Sequence, residues 1–227
     1  MAAAPLAGKR VLITQADAFM GPVLCEVFTE QGAEVIASIE SLRDPDAPAT
    51  LVARCGAIDV LVANLALAAP STPAMEVSDG EWADVFGCLV DPLQRLCRAV
   101  LPQMVARRAG KIVLMGSAAA LRGMKRASTY SAARGAQLAY VQALGVEMAP
   151  HNVQVNAIAQ NFVDNPTYFP PDVQANPRFQ ERLQREVPLG RLVSAREDAA
   201  FAAYLSSAAA DCFVGQVFPM CGGWVMR

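Results

Sequence analysis

Six short apolar runs punctuate the chain: Arg10 to Ile13, Glu34 to Ser38, Asp59 to Ala63, Lys111 to Met115, Val153 to Ala157 and Gln216 to Met220. Each is brief and rich in Val, Ile and Leu, without polar alternation, as expected of strands covered on both faces. The segments between them carry apolar residues at helical spacing. Helices are predicted over Pro22 to Gln31, Ala49 to Cys55, Asp79 to Arg107, Thr129 to Ala149, Pro177 to Glu186 and Ala195 to Ser206. Strands alternating with helices along a chain predict an α/β fold with a doubly wound parallel sheet and three layers, α/β/α. No repeat or low-complexity tract interrupts the pattern, so residues 1–227 are expected to form one domain.

In such a sheet a ligand site belongs at the carboxyl ends of the strands. Thr14, Asn64, Ser117 and Gln160 fall there. The stretch from Gln160 to Pro177 has four prolines and three aromatics, Phe162, Tyr168 and Phe169, and reads as a long functional loop. The first strand, turn and helix are those of a Rossmann-like unit, where a glycine-rich turn lets backbone approach a pyrophosphate. Here the turn is Thr14-Gln15-Ala16-Asp17-Ala18-Phe19-Met20-Gly21. Gln15 stands at the tight-turn position and Phe19 where the phosphates need space. Gly21 alone keeps its role, in helix-on-strand packing. The turn therefore reads as closed to a dinucleotide; the competing reading is a degenerate turn that binds one weakly.

The composition narrows the remaining classes. At 227 residues, 54% hydrophobic and with positive mean hydropathy, the chain can bury a full core. A net charge of −2 with scattered Lys and Arg offers no stripe for nucleic acid. The six cysteines lack metal-binding spacing and read as buried thiols of a reducing cytoplasm, with no metal site. The first five residues are too short for a signal peptide, and no apolar run reaches membrane-spanning length. A soluble, cytoplasmic protein is expected.

Ser117 is followed thirteen residues later by Tyr130, and four after that by Arg134. Tyr130 opens a helix, so Tyr130 and Arg134 share one face a turn apart. A guanidinium, always protonated, favours phenolate over phenol and makes Tyr130 a usable general base. Ser117 can hold a substrate oxygen against it. The bland alternative is a surface Tyr–Arg pair with Ser117 capping a turn.

The modified first turn, the segment Val60-Leu-Val-Ala-Asn64, the Ser117/Tyr130 pair, Asn156 and the ending Gly215-Gln-Val-Phe…Gly222-Gly223 together resemble the short-chain dehydrogenase/reductase superfamily over nearly the whole chain. Within it, Thr14-x4-Phe19-x-Gly21 and Arg134, where a nicotinamide enzyme places lysine, most resemble the halohydrin dehalogenases. The resemblance implies that Tyr130, assisted by Arg134, deprotonates a vicinal halohydrin oriented by Ser117, and that the alkoxide closes an epoxide and expels halide. It implies no redox cofactor, and it implies the reverse opening of epoxides by small anions such as azide, cyanide or nitrite. Partners would be a halohydrin or epoxide and a halide or other small anion.

A weakly hydrated anion calls for backbone N–H donors between apolar walls. Gln160, Asn161, Phe162 and Phe19 have that composition, with Tyr168, Phe169 and Thr14 as further pocket candidates. The three loop aromatics fit a plain hydrophobic lid equally, and Asn161 fits an ordinary turn. Glu40 reads as a solvated residue, and His151 as a helix-end residue. Whether Trp224 and the short tail reach a neighbouring site is open. Two other readings stand beside this one: a divergent NAD(P)-dependent oxidoreductase with arginine for lysine, and a catalytically dead subunit. The long helices 79–107 and 129–149, apolar over much of their length, predict pairing into a homotetramer.

Overall fold

The computed structural model describes residues 4–226. Six parallel strands, β1 (Arg10–Ile13), β2 (Glu34–Ala37), β3 (Val60–Asn64), β4 (Gly110–Ser117), β5 (Val153–Gln160) and β6 (Val217–Met220), form one sheet in the order β2-β1-β3-β4-β5-β6. The helices are α1 (Gly21–Glu30), α2 (Ala47–Cys55), α3 (Asp79–Arg107), α4 (Ser128–Met148), α5 (Pro171–Gln174), α6 (Pro177–Glu186) and α7 (Ala195–Leu205).

Side chains alternate across a strand, so one apolar run supplies both faces of the sheet. Leu12, Leu61, Ile112, Leu114 and Val155 pack under α2, α3 and α4. Their neighbours Val11, Ile13, Val60, Val62 and Val113 pack under α1 and α7. This is the predicted doubly wound, three-layer arrangement.

The central strands run further than their apolar runs suggest. β4 continues through Gly116 and Ser117, paired with Ala159 and Gln160 of β5. Small and polar residues there read as an end, but both backbones remain in register and buried, so the ladder continues. Ser117 and Gln160 are thus strand residues at the rim of the sheet, and Asn64 is the last residue of β3. The loop after β5 also contains a four-residue helix, α5, unforeseen among its prolines. Of the cysteines expected to be buried, Cys212 is exposed and Cys25 and Cys88 are half-buried; all six are free.

The first turn returns so tightly on α1 that a Cβ on Gly21 would lie 2.1 Å from the Gln15 carbonyl oxygen and 2.6 Å from the Ala16 carbonyl carbon. Both contacts are with backbone, which cannot swing aside. Gly21→Ala should therefore destabilise the chain by about 1–3 kcal/mol, as overpacking does, measured by urea denaturation; an unchanged midpoint would show that the turn is looser than its geometry.

Candidate active site

At the carboxyl ends of the central strands lies a cavity of ≈270 Å³. Its floor is the rim of β4 and β5, its walls come from the first turn and the loop after β5, and α4 enters from one side. Ser117, Tyr130, Arg134, Phe19, Gln160, Asn161, Phe162, Tyr168 and Phe169 all line it. Thr14 does not. It is fully buried, and its hydroxyl donates to the Asn64 carbonyl at 3.1 Å, tying β1 to β3. The strand-end position that suggested a pocket role turns its side chain into the sheet.

α4 carries Tyr130 and Arg134 on its inner face, both buried. The Arg134 guanidinium carbon stands 5.1 Å from the Tyr130 ring centre. Arg134 Nη1 donates to the carbonyls of Leu65 (2.9 Å) and Met115 (3.3 Å) and to Gln137 Oε1 (2.9 Å). Gln137 in turn donates to the Leu89 carbonyl of α3 at 2.7 Å. Arg134 Nε is buried with no hydrogen-bond partner. Among the described residues no carboxylate pairs with this cation. For Tyr130, burial is the largest influence and resists ionisation, but the charge of Arg134 and hydrogen bonding from Arg134, Ser117 and Tyr168 outweigh it. The phenol ionises below its ordinary range.

Ser117 caps the following turn, accepting from Ala119 N–H at 3.2 Å. That is the capping role weighed as its alternative, and the same hydroxyl bears on Tyr130. Tyr168 is fixed across the cavity: its hydroxyl donates to the Leu67 carbonyl (2.8 Å) and accepts from Ala69 N–H (3.1 Å). Burial and the neighbouring Tyr130 raise its ionisation, so Tyr168 is the phenol of the pair and Tyr130 the group that loses its proton.

The anion wall differs in detail from expectation. The N–H groups of Asn161 and Phe162 are taken, by the Met220 carbonyl (3.1 Å) and by Asn161 Oδ1 (2.9 Å). Phe162 adopts a φ of 51°, rare outside glycine, and turns the chain there. Asn161 therefore serves the turn as well as lining the cavity. Sequence reasoning passed over Arg182, Asn165 and Met124, which line the cavity from α6, the loop after β5 and the loop before α4. Nothing in their local pattern marks them, because tertiary packing brings them in. The Trp224 ring is 6.2 Å from that of Phe162, and its carbonyl accepts from Arg122 at 2.9 Å.

A nicotinamide dinucleotide, which the fold would suggest, does not fit the first turn. Gln15 and Phe19 keep the positive φ values, 44° and 52°, of a turn suited to glycine, yet both carry side chains. Gln15 spans to Ala66, donating to its carbonyl (3.1 Å) and accepting from its N–H (2.8 Å). Asn64 Nδ2 donates to the Gln15 and Ala18 carbonyls. The N–H groups of Ala16, Ala18 and Gly21 bond to the Ser38, Gln15 and Ala18 carbonyls, which withdraws three donors of the turn from a phosphate. The Phe19 ring, 5.8 Å from that of Tyr168, lines the cavity. Glu40 is exposed to solvent, as expected, and pairs there with Arg54. Among the described residues, no group of three or more His, Cys, Asp or Glu could hold a metal ion, and no helix is long and apolar enough to cross a membrane.

A family profile described as Enoyl-(Acyl carrier protein) reductase matches residues 8–225. The chain is 28% identical to the 3-oxoacyl-[acyl-carrier-protein] reductase of Vibrio harveyi, covering 97% of this chain and 99% of that one. It is similar to a solved structure titled "Dehalogenation enzyme", with 33% identity, a TM-score of 0.90 and coverage of 97% and 100%. A halohydrin dehalogenase bound to ethyl (2S)-oxiran-2-ylacetate is 28% identical, with a TM-score of 0.89 and coverage of 96% and 99%.

An ultraviolet titration should show one tyrosine ionising below the usual phenol range. That transition should vanish in Tyr130→Phe and move to higher pH in Arg134→Met. Four tyrosines all titrating normally would exclude a phenolate at Tyr130 near neutrality.

Proposed function

This chain belongs to the short-chain dehydrogenase/reductase superfamily, among the halohydrin dehalogenases, and on that premise we propose that it converts vicinal halohydrins to epoxides without a redox cofactor. The observation that supports this reading is a buried guanidinium, with no carboxylate among the described residues, set against Tyr130 in a cavity that Phe19 of the first turn lines.

In the proposed reaction Tyr130, as phenolate, takes the proton of the substrate hydroxyl while Ser117 donates a hydrogen bond to the same oxygen. The alkoxide forms a bond to the neighbouring carbon from behind, the carbon–halogen bond breaks with its electron pair, and halide leaves on the opposite side. The proton returns to solvent through Tyr130. No hydride moves and oxidation states balance within substrate and halide. Arg134 acts by holding the phenolate form, and the aromatic wall of Phe19, Phe162 and Phe169 excludes water from the departing ion. Run in reverse, Tyr130 as phenol protonates the epoxide oxygen while a small anion attacks.

The reductases among its relatives make nicotinamide chemistry the competing reading, and one experiment separates the two. Purified chain with a vicinal bromohydrin and no nucleotide should release bromide, and Tyr130→Phe should lower the rate by about 10²–10⁴-fold, the usual range for a general base. No release together with NAD(H) or NADP(H) binding would make the chain a reductase. Because ring closure needs the phenolate, its rate should fall as pH drops below the Tyr130 ionisation. Arg134→Lys, which puts a compact ammonium in place of the planar guanidinium over the Tyr130 ring, should shift that limb to higher pH; a limb left in place would remove Arg134 from the mechanism. We further propose a homotetramer, supported by exposed Trp82 on α3 and Val146 on α4. Sedimentation showing only a 24.1 kDa species would overturn it.

A further inference from the structure

Asp198 is out of place by every rule of composition. It sits in the first turn of α7, fully buried, on the helix face that packs Ala199 and Ala202 against α1 and the sheet. One carboxyl oxygen, Oδ2, accepts from Gln160 Nε2 at 2.6 Å; the other, Oδ1, is buried with no partner. The N–H of Asp198 bonds to the Ser194 carbonyl, and the capping side chain of that helix is Ser194, so the carboxyl is not a cap. Its single partner, Gln160, is the last residue of β5 and lines the cavity. The acid therefore stands directly behind the wall at which an anion is expected.

The ionisable groups of the surrounding elements are engaged elsewhere. Glu26 and Glu30 of α1 pair with Arg196 on the outer surface, and Glu197 pairs with Arg191. Lys111 of β4 pairs with Asp211 at the far end of the strand, and Asp164 takes a hydrogen bond from Gln174. Asp17, in the turn before α1, is exposed, and Cys25 is half-buried with burial holding its thiol protonated. Among the described residues no cation meets Asp198. A lone carboxylate in that place would be an uncompensated buried charge, far costlier than a neutral acid lacking one hydrogen bond.

We propose that Asp198 is carried as a neutral acid that anchors Gln160 at the floor of the cavity, and that its ionisation weakens anion binding there. This rests on the anion pocket of the function proposed above. Neutral, it accepts from Gln160 and places no charge behind the pocket. Ionised, it sets a negative charge one side chain away from the bound anion, in surroundings that screen poorly. Burial pushes this carboxyl up to about 7, with Gln160 opposing, so the change falls within the working range of most enzymes. Asp198 is a positioning residue, acting through Gln160 rather than on substrate.

Linkage fixes the direction. With the folded ionisation raised above that of the unfolded chain, protonated Asp198 stabilises the fold fully at acid pH, and this is lost as pH rises toward and through 7. Anion affinity should follow the same course. The chain has two tryptophans, so Trp82→Phe leaves Trp224, packed on Phe162, as the reporter of bromide binding. Adding Tyr130→Phe removes the other titrating neighbour.

In that background bromide affinity should fall about fivefold or more between pH 5.5 and 8.5, the scale set by an unfavourable charge at short range. Asp198→Asn, which still accepts from Gln160, should bind at both pH values as the acid does at pH 5.5. Asp198→Leu, which leaves Gln160 without an acceptor, should bind more weakly at both. Affinity independent of pH with Asp198 present, or the same pH dependence in Asp198→Asn, would overturn the proposal. So would a melting temperature of the unaltered chain that does not fall from pH 5 to 8. No bromide binding at any pH would remove the anion pocket itself, and with it the function above.

Discussion

A guanidinium buried without a carboxylate is the constraint on which this site depends. Arg134 is 3% exposed, and its terminal nitrogen is met by two backbone carbonyls and the Gln137 amide, dipoles that solvate the cation without cancelling its charge. A cation so placed draws any ionisable neighbour toward the anion, and the neighbour is Tyr130. Lysine, with a compact ammonium, lacks the planar group that lies over the Tyr130 ring. The carbonyls come from Leu65 and Met115, just beyond the end of β3 and near the end of β4. The charge is therefore held by the same sheet rim that forms the cavity floor.

The first turn shows how a dinucleotide cradle can be filled without being rebuilt. Gln15 and Phe19 hold left-handed backbone at a cost of roughly 1–2 kcal/mol each relative to glycine. Their side chains repay it. Gln15 makes two hydrogen bonds to Ala66, and Phe19 covers apolar surface against Tyr168. Asn64 holds the turn from beneath through two of its carbonyls. Three of the turn's own N–H groups are bonded within the protein as well, so the filled cradle is held together by its own residues.

What the sequence makes legible follows from range. Strand positions, both long helices and the trio Ser117, Tyr130 and Arg134 follow from periodicity and spacing within single elements, and α3 has the bounds its pattern suggests despite Pro92 and Pro102. Gln137 was passed over because a glutamine inside a helix signals nothing until α3 is known to pass beside it. Asp198 lay in an ordinary capped first turn, next to Glu197, which is exposed. Neighbouring acids with opposite fates differ only in the face they present. Thr14 was misplaced for a similar reason: a residue's position at a strand end does not settle which side of the sheet its side chain takes.

One wall of the cavity is assembled from widely separated parts of the chain. Phe179, Phe169, Phe162 and Trp224 follow one another at ring separations of 5.4–6.2 Å, Phe169 and Phe162 facing the cavity. Arg122, from beyond β4, lies over the last of them. During synthesis the helix that carries Tyr130 and Arg134 is made well before β6 and before Trp224, the ring that backs Phe162. A nascent chain therefore carries the buried cation and its phenol before the aromatic wall that faces them has its support.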